Sequence, residues 1–414
     1  MGQITKVTPD MIQVANNVTS TTIGNTTSGV SLTFDSNGVI TSAANVVLSV
    51  ANTQLTGTIT NAQLGTDAVS NTKIAAGAVE QYFADTGYNA QFRNRIINGA
   101  MVIDQRNAGA AVTTGTGFYS VDRWNVLAQT SAKITVQQNN GSVTPPAGFS
   151  NYLGVSVGAS AGVTVGATDQ YLVRQLIEGF NVADLAWGTA SAKTVTLSFW
   201  VRSSVTGTFG GALVNNAGNR SYPFTYSVSS ANTWEQKTIT IAGDTTGTWV
   251  TNNGNGLNVS FSIGVGSTYS GTAGSWAGAY YASATGAVKL VETNSATWYI
   301  TGVQLEVGSV ATPFERRPYG TELALCTRYA TWLSCSQRGY GTSGCSVSYA
   351  MRSTPSFSSP VADPDATSQL SSNVSSVGYI ASYAGKNGGY LQLGAIIAAD
   401  AYYIGYRVLA TAEL

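Results

Sequence analysis

The stretch Lys193-Thr-Val-Thr-Leu-Ser-Phe-Trp-Val-Arg202 decides the fold class. Val195, Leu197, Phe199 and Val201 fall on one face, and Thr194, Thr196, Ser198 and Trp200 on the other. A two-residue period of this kind is the mark of a half-buried strand. Lys237–Ile241 and Leu257–Ile263 alternate in the same way, and Trp298–Leu305 is a further strand. Gly, Asn and Ser turns separate these runs, and many short strands so spaced predict a β-sandwich or jelly roll. Gln175–Leu185 fits a short helix or a loop.

Downstream, Thr312-Pro-Phe-Glu-Arg-Arg-Pro318 frames an aromatic and three charges with two prolines, which marks a boundary. A short helix is expected over Glu322–Trp332, followed by Gly-, Ser- and Tyr-rich strands, with residues 362–378 as loop. Upstream, Val30-Ser-Leu-Thr-Phe34, a Ser36-Asn-Gly38 turn and Val39-Ile40 read as a hairpin, and Val46–Val50 as another strand.

A repeat lies between the hairpin and the long β region. Asn52-Thr-Gln-Leu55, Asn61-Ala-Gln-Leu64 and Asn71-Thr-Lys-Ile74 keep the same order of residue types, each followed by an apolar residue at Ile59, Val69 and Val79. Two apolar residues per unit cannot build a monomeric core. Three parallel copies would bury Leu55, Ile59, Leu64, Val69, Ile74 and Val79 along a shared axis, so the repeat predicts a homotrimeric stalk. The alternative is a flexible polar linker that happens to be periodic.

Composition narrows the function. Only 10% of the 414 residues are charged, against about a quarter in average soluble domains. So sparse a charge favours a chain that buries much of its surface in an assembly. Lys plus Arg and Asp plus Glu both number 20, so there is no basic surplus for nucleic acid or an anionic membrane. There is no histidine. That removes a Ser-His-Asp triad, a Cys-His pair and imidazole metal ligands. No cofactor and no metal are expected. Cys326, Cys335 and Cys345 form no CxxC pair, and their odd number argues for free thiols made in a reducing cytoplasm. Met1–Asn17 has no apolar core run, which predicts no secretory leader, and no run of apolar residues is long enough to insert in a membrane.

Several motifs are familiar together. Asn94-Arg-Ile-Ile-Asn-Gly-Ala-Met-Val-Ile-Asp-Gln-Arg106 resembles the domain opening of phage tail-fibre and virion structural proteins. Tyr119-Ser-Val-Asp-Arg-Trp124 resembles the segment that follows it there, and Ser198-Phe-Trp-Val-Arg-Ser203 the central strand. Ile300-Thr-Gly-Val-Gln-Leu-Glu-Val-Gly308 and Ala311–Arg316 are similar to the closing strand and exit, while Glu322–Tyr329 and Ala412-Glu-Leu414 fit the same family. The resemblance covers about residues 94–330 and the extreme C-terminus. It implies a jelly-roll domain like those of carbohydrate-binding modules, carried on a fibre, with no ligand site that transfers residue by residue.

The expected architecture is therefore a mostly β, elongated trimeric fibre. Residues 1–29 are its virion-attachment segment, reaching other virion proteins, and 30–93 its hairpin and stalk. Residues 94–319 are a jelly-roll β-sandwich, and 320–414 a C-terminal β-rich distal domain. The resemblance places it in the virion after assembly in the host cytoplasm and implies that it binds host surface polysaccharide without enzymatic activity. A glycan depolymerase on the same scaffold and a purely structural connector are the alternatives.

Sugar rings stack on aromatic faces, which singles out Trp200 on the polar face of its strand. It also singles out Trp276, Tyr280 and Tyr281 in the loop Ser275-Trp-Ala-Gly-Ala-Tyr-Tyr281. Burial beneath another element is the competing reading for Trp200, and intersubunit packing for the loop. Asp104 and Asp122-Arg123 read as turn caps or ion pairs rather than a catalytic pair, and Asp363-Pro-Asp365 as a turn rather than a calcium loop. The C-terminal tyrosines fit a recognition surface and a trimeric knob equally.

Overall fold

The computed structural model describes residues 28–36, 40–47, 92–337 apart from 114, 116 and 161, 344–348, 350–353, 355–358, 361–362, 388–392 and 404–414. The chain divides into two compact units, Met1–Tyr82 and Phe83–Leu414. Structure in the first unit is the expected hairpin, β1 (Ser28–Phe34) antiparallel to β2 (Ile40–Val47). β2 runs on through Val46 and Val47, which the sequence assigns to a separate strand. The repeat at 52–79 and the segment 1–27 lie outside the described residues, as do 362–378 apart from Ala362.

The second unit is built on a sandwich of two antiparallel sheets. Its strands are β3 (Phe118–Tyr119), β4 (Asn125–Ala128), β5 (Ile134–Gln138), β6 (Leu153–Val157), β7 (Gln170–Glu178) and β8 (Val195–Ser203). They continue with β9 (Gly207–Asn215), β10 (Ser221–Val228), β11 (Glu235–Ile241) and β12 (Asn255–Val265). Two short pieces, β13 (Ser270–Gly271) and β14 (Ser283–Ala284), precede β15 (Thr297–Val307). One sheet has the order β10-β9-β12-β7-β4-β3 and the other β11-β8-β15-β6-β5. Where a helix or loop is expected at 175–185, β7 continues to Glu178, and two 3-10 turns follow at Gly179–Asn181 and Ala183–Leu185.

The alternation read in the sequence is the packing between these sheets. Val195, Leu197, Phe199 and Val201 of β8 are fully buried, as are Trp124, Phe261 and Trp298. Phe199 meets Phe261 edge-on at 5.0 Å and Tyr226 at 5.1 Å. The buried indole of Trp298 donates to Tyr226 Oη at 3.1 Å, so its polar tip is satisfied inside the core. Burying each such side chain stabilises the fold by about 1.5–3 kcal/mol.

The motifs at 94–124 and 300–317 meet in one hydrogen-bonded knot where the chain enters and leaves the sandwich. Asn94 Nδ2 donates to Val303 O at 3.1 Å, and its Oδ1 accepts from Ile96 N and Leu305 N, both at 3.0 Å. Asn98 Nδ2 donates to Ile103 O and Asp122 O, and its Oδ1 accepts from Ile103 N. Asn98 sits at φ 56°, a left-handed conformation that asparagine tolerates better than most residues. Gln304 Oε1 accepts from Glu315 N at 2.7 Å, and Arg317 donates to the carbonyls of Asn94 and Ile96.

The end of the chain joins the same knot. Helix α1 spans Tyr319–Thr327 and stops short of the expected Trp332. The next residues instead form β16 (Ala330–Gln337), paired along its length with β21 (Ile404–Thr411). That partner lies about seventy residues away, so local propensity does not reveal it. β17 (Gly344–Ser348) pairs with β20 (Gly388–Gln392), while β18 (Ser356–Phe357) and β19 (Val361–Ala362) add to β21. Glu413 forms ion pairs with Arg106 and with the fully buried Arg123, whose guanidinium lies over the Tyr329 ring at 3.6 Å. Glu178 takes Arg328 at 2.6 Å and Tyr329 Oη at 2.9 Å. Contacts thus run across the boundary expected at 319/320. Among the described residues no helix is long and apolar enough to cross a membrane.

Candidate functional site

The outer face of the five-stranded sheet is half roofed and half open. On the roofed half, Tyr152, Trp234 and Tyr299 pack together with centroids 5.2–6.4 Å apart. Their polar tips are used internally: Tyr152 Oη donates to Asn140 O at 2.6 Å, and Trp234 Nε1 to Thr144 O at 2.9 Å. Burial pushes the Tyr152 hydroxyl pKa up, so it stays protonated as a donor. The Arg202 guanidinium lies 5.3 Å from the Tyr299 centroid.

The open half is a strip formed by the edge strand β11 beside Trp200. Thr196 and Ser198 of β8 are buried, and the hydroxyls of Thr196 and Thr240 donate to Gly308 O at 2.7 Å and Ser309 O at 3.0 Å. Register puts Trp200 opposite Gln236, Ser198 opposite Thr238 and Thr196 opposite Thr240. Gln236, Thr238 and Thr240 are exposed, and Trp200 is half-buried. On the other side Trp200 opposes Thr301, just before the register of β15 shifts. Gly302 occupies that shift at φ +61°; a side chain there would come within 2.6 Å of Phe149 and 3.1 Å of Trp200. The glycine is what lets both rings lie over the strand. Phe149 is backed by Phe314 at 5.1 Å and covered by the exposed Arg316 at 4.7 Å.

Hydrogen bonding sets Trp200 apart. Seven of the eight tryptophans give their indole N–H to an acceptor within the chain. Among the described residues Trp200 has no such partner, and neither do the side chains of Gln236 and Thr238. A rigid indole with a partly open face and an uncommitted donor, beside an amide and hydroxyls, can stack on one face of a polyhydroxylated ring and bond its edge.

The other three sequence candidates lie elsewhere. Their loop is bridged to β10 of the six-stranded sheet through Ala277 and Ser221. Trp276 packs edge-on against Trp187, Trp249 and Tyr222, and its N–H goes to Ala242 O at 2.8 Å. Tyr280 packs on Tyr269 and donates to Gln170 Oε1 at 2.8 Å, and the Tyr281 ring closes over Gly271. The structure therefore brings none of them to Trp200. It supplies Gln236, Thr238, Phe149 and Arg316 instead. Strand alternation would have found the first two only with the β8–β11 register in hand.

Asp104 and Asp122 are both engaged in hydrogen bonds within the fold. Asp104 caps a turn, accepting from Asn107 N at 3.0 Å and Gly109 N at 2.7 Å. Asp122 accepts from Gln105 N at 3.1 Å and Gln105 Nε2 at 2.5 Å, and burial pushes its pKa up to about 6. Among the described residues no cluster of His, Cys, Asp and Glu could hold a metal.

No protein-family model and no curated protein matches this chain. Solved structures match about half of it. One is a putative sugar binding protein from Bacteroides thetaiotaomicron, at 11% identity, 52% of this chain, 100% of that chain and TM-score 0.30. TmCBM61 in complex with β-1,4-galactotriose matches at 11% identity over 52% of this chain and 99% of that one, with TM-score 0.26. The enzymatically active domain of bacteriophage CBA120 tailspike protein 4 matches at 13% identity over 52% of this chain, with TM-score 0.27. The match spans only 21% of that tailspike chain. With scores this low the matches carry no weight below; the geometry of the face does.

Proposed function

We propose that this chain is a homotrimeric fibre protein of a bacteriophage virion that binds a host surface glycan and does not cleave it. The N-terminal segment attaches to other virion proteins, and the sandwich presents the glycan-binding face. The observation that carries the glycan reading is Trp200, whose indole N–H has no partner among the described residues, in an open strip with Gln236 and Thr238. The motif resemblance at 94–124 and 300–316 supports the phage assignment, and the thin repeat at 52–79 supports the trimer. Asp104 and Asp122, engaged in backbone caps, favour binding over hydrolysis. Single sugar contacts are weak, and three copies on one fibre raise avidity.

The test is titration of the full-length protein with oligosaccharides prepared from host surface polysaccharide, followed by tryptophan fluorescence and calorimetry. Saturable binding weakened about thirtyfold in W200A, with the fold kept, is the expected result. Binding untouched by W200A would remove the face from consideration. Release of new reducing ends from the polysaccharide would replace the adhesin by a depolymerase. Light scattering should give three chains, and a monomer at micromolar concentration would end the stalk argument.

A further inference from the structure

We infer a second saccharide pocket at the knot itself, separate from the Trp200 strip; it rests on the glycan reading proposed above. Phe92 and Phe180 are large aromatics 55% and 60% exposed, and both line one pocket of about 260 Å³ with Asn94, Arg95, Asn181 and Arg317. Isolated exposed apolar residues need no explanation, but two rings around one concavity do.

Neither ring is exposed because its backbone is loose. Phe180 sits on the 3-10 turn Gly179–Asn181, pinned by Gly179 N to Gly254 O at 2.8 Å and Phe180 N to Asn252 O at 2.9 Å. Gly179 packs so closely on the carbonyls of Val250 and Asn252 that no side chain fits there. Phe92 is held at φ 60°, a strained conformation for a bulky residue, by its N–H bond to Glu315 Oε1 at 2.6 Å. Local strain and exposed aromatic area coincide at one place, which points to a site.

The polar groups say which ligand. Arg95 is balanced by Asp184 at 2.6 Å, and Arg317 by Glu322 at 3.4 Å and Glu315 at 3.7 Å. The pocket therefore carries no surplus charge for a phosphate or uronic acid. Asn181 offers a side-chain carboxamide with no partner among the described residues, and its backbone carbonyl accepts from Arg95 at 3.3 Å. Two aromatic faces, a free amide and neutralised charges fit one neutral hexopyranose unit. The rings would meet its C–H faces, and Asn181 its hydroxyls.

The experiment uses the full-length protein with every phenylalanine replaced by 4-fluorophenylalanine. The signals of Phe92 and Phe180 are assigned from F92L and F180L. Methyl glucoside, methyl galactoside, methyl mannoside and N-acetylglucosamine are titrated in turn. At least one should move both signals saturably, in wild type and in W200A alike, and F180A should weaken that binding about tenfold or more. If host oligosaccharide still binds at Trp200 while none of the four sugars moves either signal, the pocket is overturned and the face survives. If F180A lowers the molar mass of the assembly, the pocket is a contact between copies and the proposal fails. Silence at both Trp200 and the two phenylalanines, for all sugars, would overturn the glycan reading and the pocket together.

Discussion

The knot that closes the sandwich and the strip on its outer face use the same residue types to opposite ends. Asn94, Asn98 and Gln304 in the knot engage both ends of their carboxamides, Asn94 with residues more than two hundred positions away. Gln236 on the strip has a carboxamide with no partner among the described residues. Trp124 gives its N–H to Asn98 O at 3.1 Å, whereas Trp200 gives its N–H to no residue described. Buried polar groups are paired because leaving them unpaired costs about 1–3 kcal/mol each. Polar groups left free at the surface keep their bonds for a ligand. Commitment of hydrogen bonds, more than residue identity, separates scaffold from site.

The largest effect should come from N98A. It leaves Ile103 N and Asp122 O without partners, takes one of two donors from Ile103 O and puts alanine at φ 56°. About 3–5 kcal/mol of unfolding free energy should be lost in chemical denaturation. Glycan affinity per folded molecule should not change; a loss of affinity at full folding would break the separation of the two regions.

Next in size is pH. The folded pKa of Asp122, about 6, lies above its ordinary value near 3.8, so the folded state holds that proton more tightly. The resulting stabilisation is complete below pH about 4 and disappears as pH rises through about 6, a span of about 2–3 kcal/mol. Subtracting the D122N curve from wild type isolates it, because Glu178 and Asp244, held below the usual range, act in the opposite direction. Burial opposes that lowering in both, and hydrogen bonds from Arg328 and Tyr329 for Glu178, and from Arg220 for Asp244, outweigh it. Glycan binding should stay flat over the same range, since Trp200, Gln236 and Thr238 do not titrate there.

W200A should reverse the pattern of N98A. Affinity for host oligosaccharide falls by about 2 kcal/mol, roughly thirtyfold, while the unfolding midpoint barely moves. The smallest effect is Q236A, about 0.5–1 kcal/mol in affinity, measured by calorimetry, with no change in stability. A Q236A variant as damaging as W200A would move the centre of the site to the sheet edge.

Much of the scaffold was legible in the sequence. Val195, Leu197, Phe199 and Val201 announce a strand by period alone, and all four are buried. The helix end was not legible: Ala330–Gln337 becomes a strand because β21 pairs with it, and pairing over that distance leaves no local trace. The position of Trp200 on the outer face was legible from its place among the polar residues of β8. Its neighbours were not. Gln236 reaches it through register, and Phe149 through a loop that folds back over Gly302. Trp276 and Tyr280 looked available because they lie in a glycine-rich loop, yet their polar tips are bonded to Ala242 and Gln170. Most of the motifs that carried the resemblance, at 94–124 and 300–316, mark the closure of the domain; the one on β8, Ser198–Ser203, contains Trp200.

Gly302 belongs to both regions, and that has a consequence for engineering. Its neighbour Val303 docks on Asn94 and Gly99, while its missing side chain leaves the room in which Phe149 and Trp200 lie over the strand. On the proposed reading, a library aimed at new sugar specificity can diversify 236 and 238, whose side chains bond to nothing among the described residues, but not Thr240, whose hydroxyl donates to Ser309 O at 3.0 Å. Position 302 stays glycine, since a side chain there would come within 2.6 Å of Phe149, at the strip and beside the closure at Val303 alike.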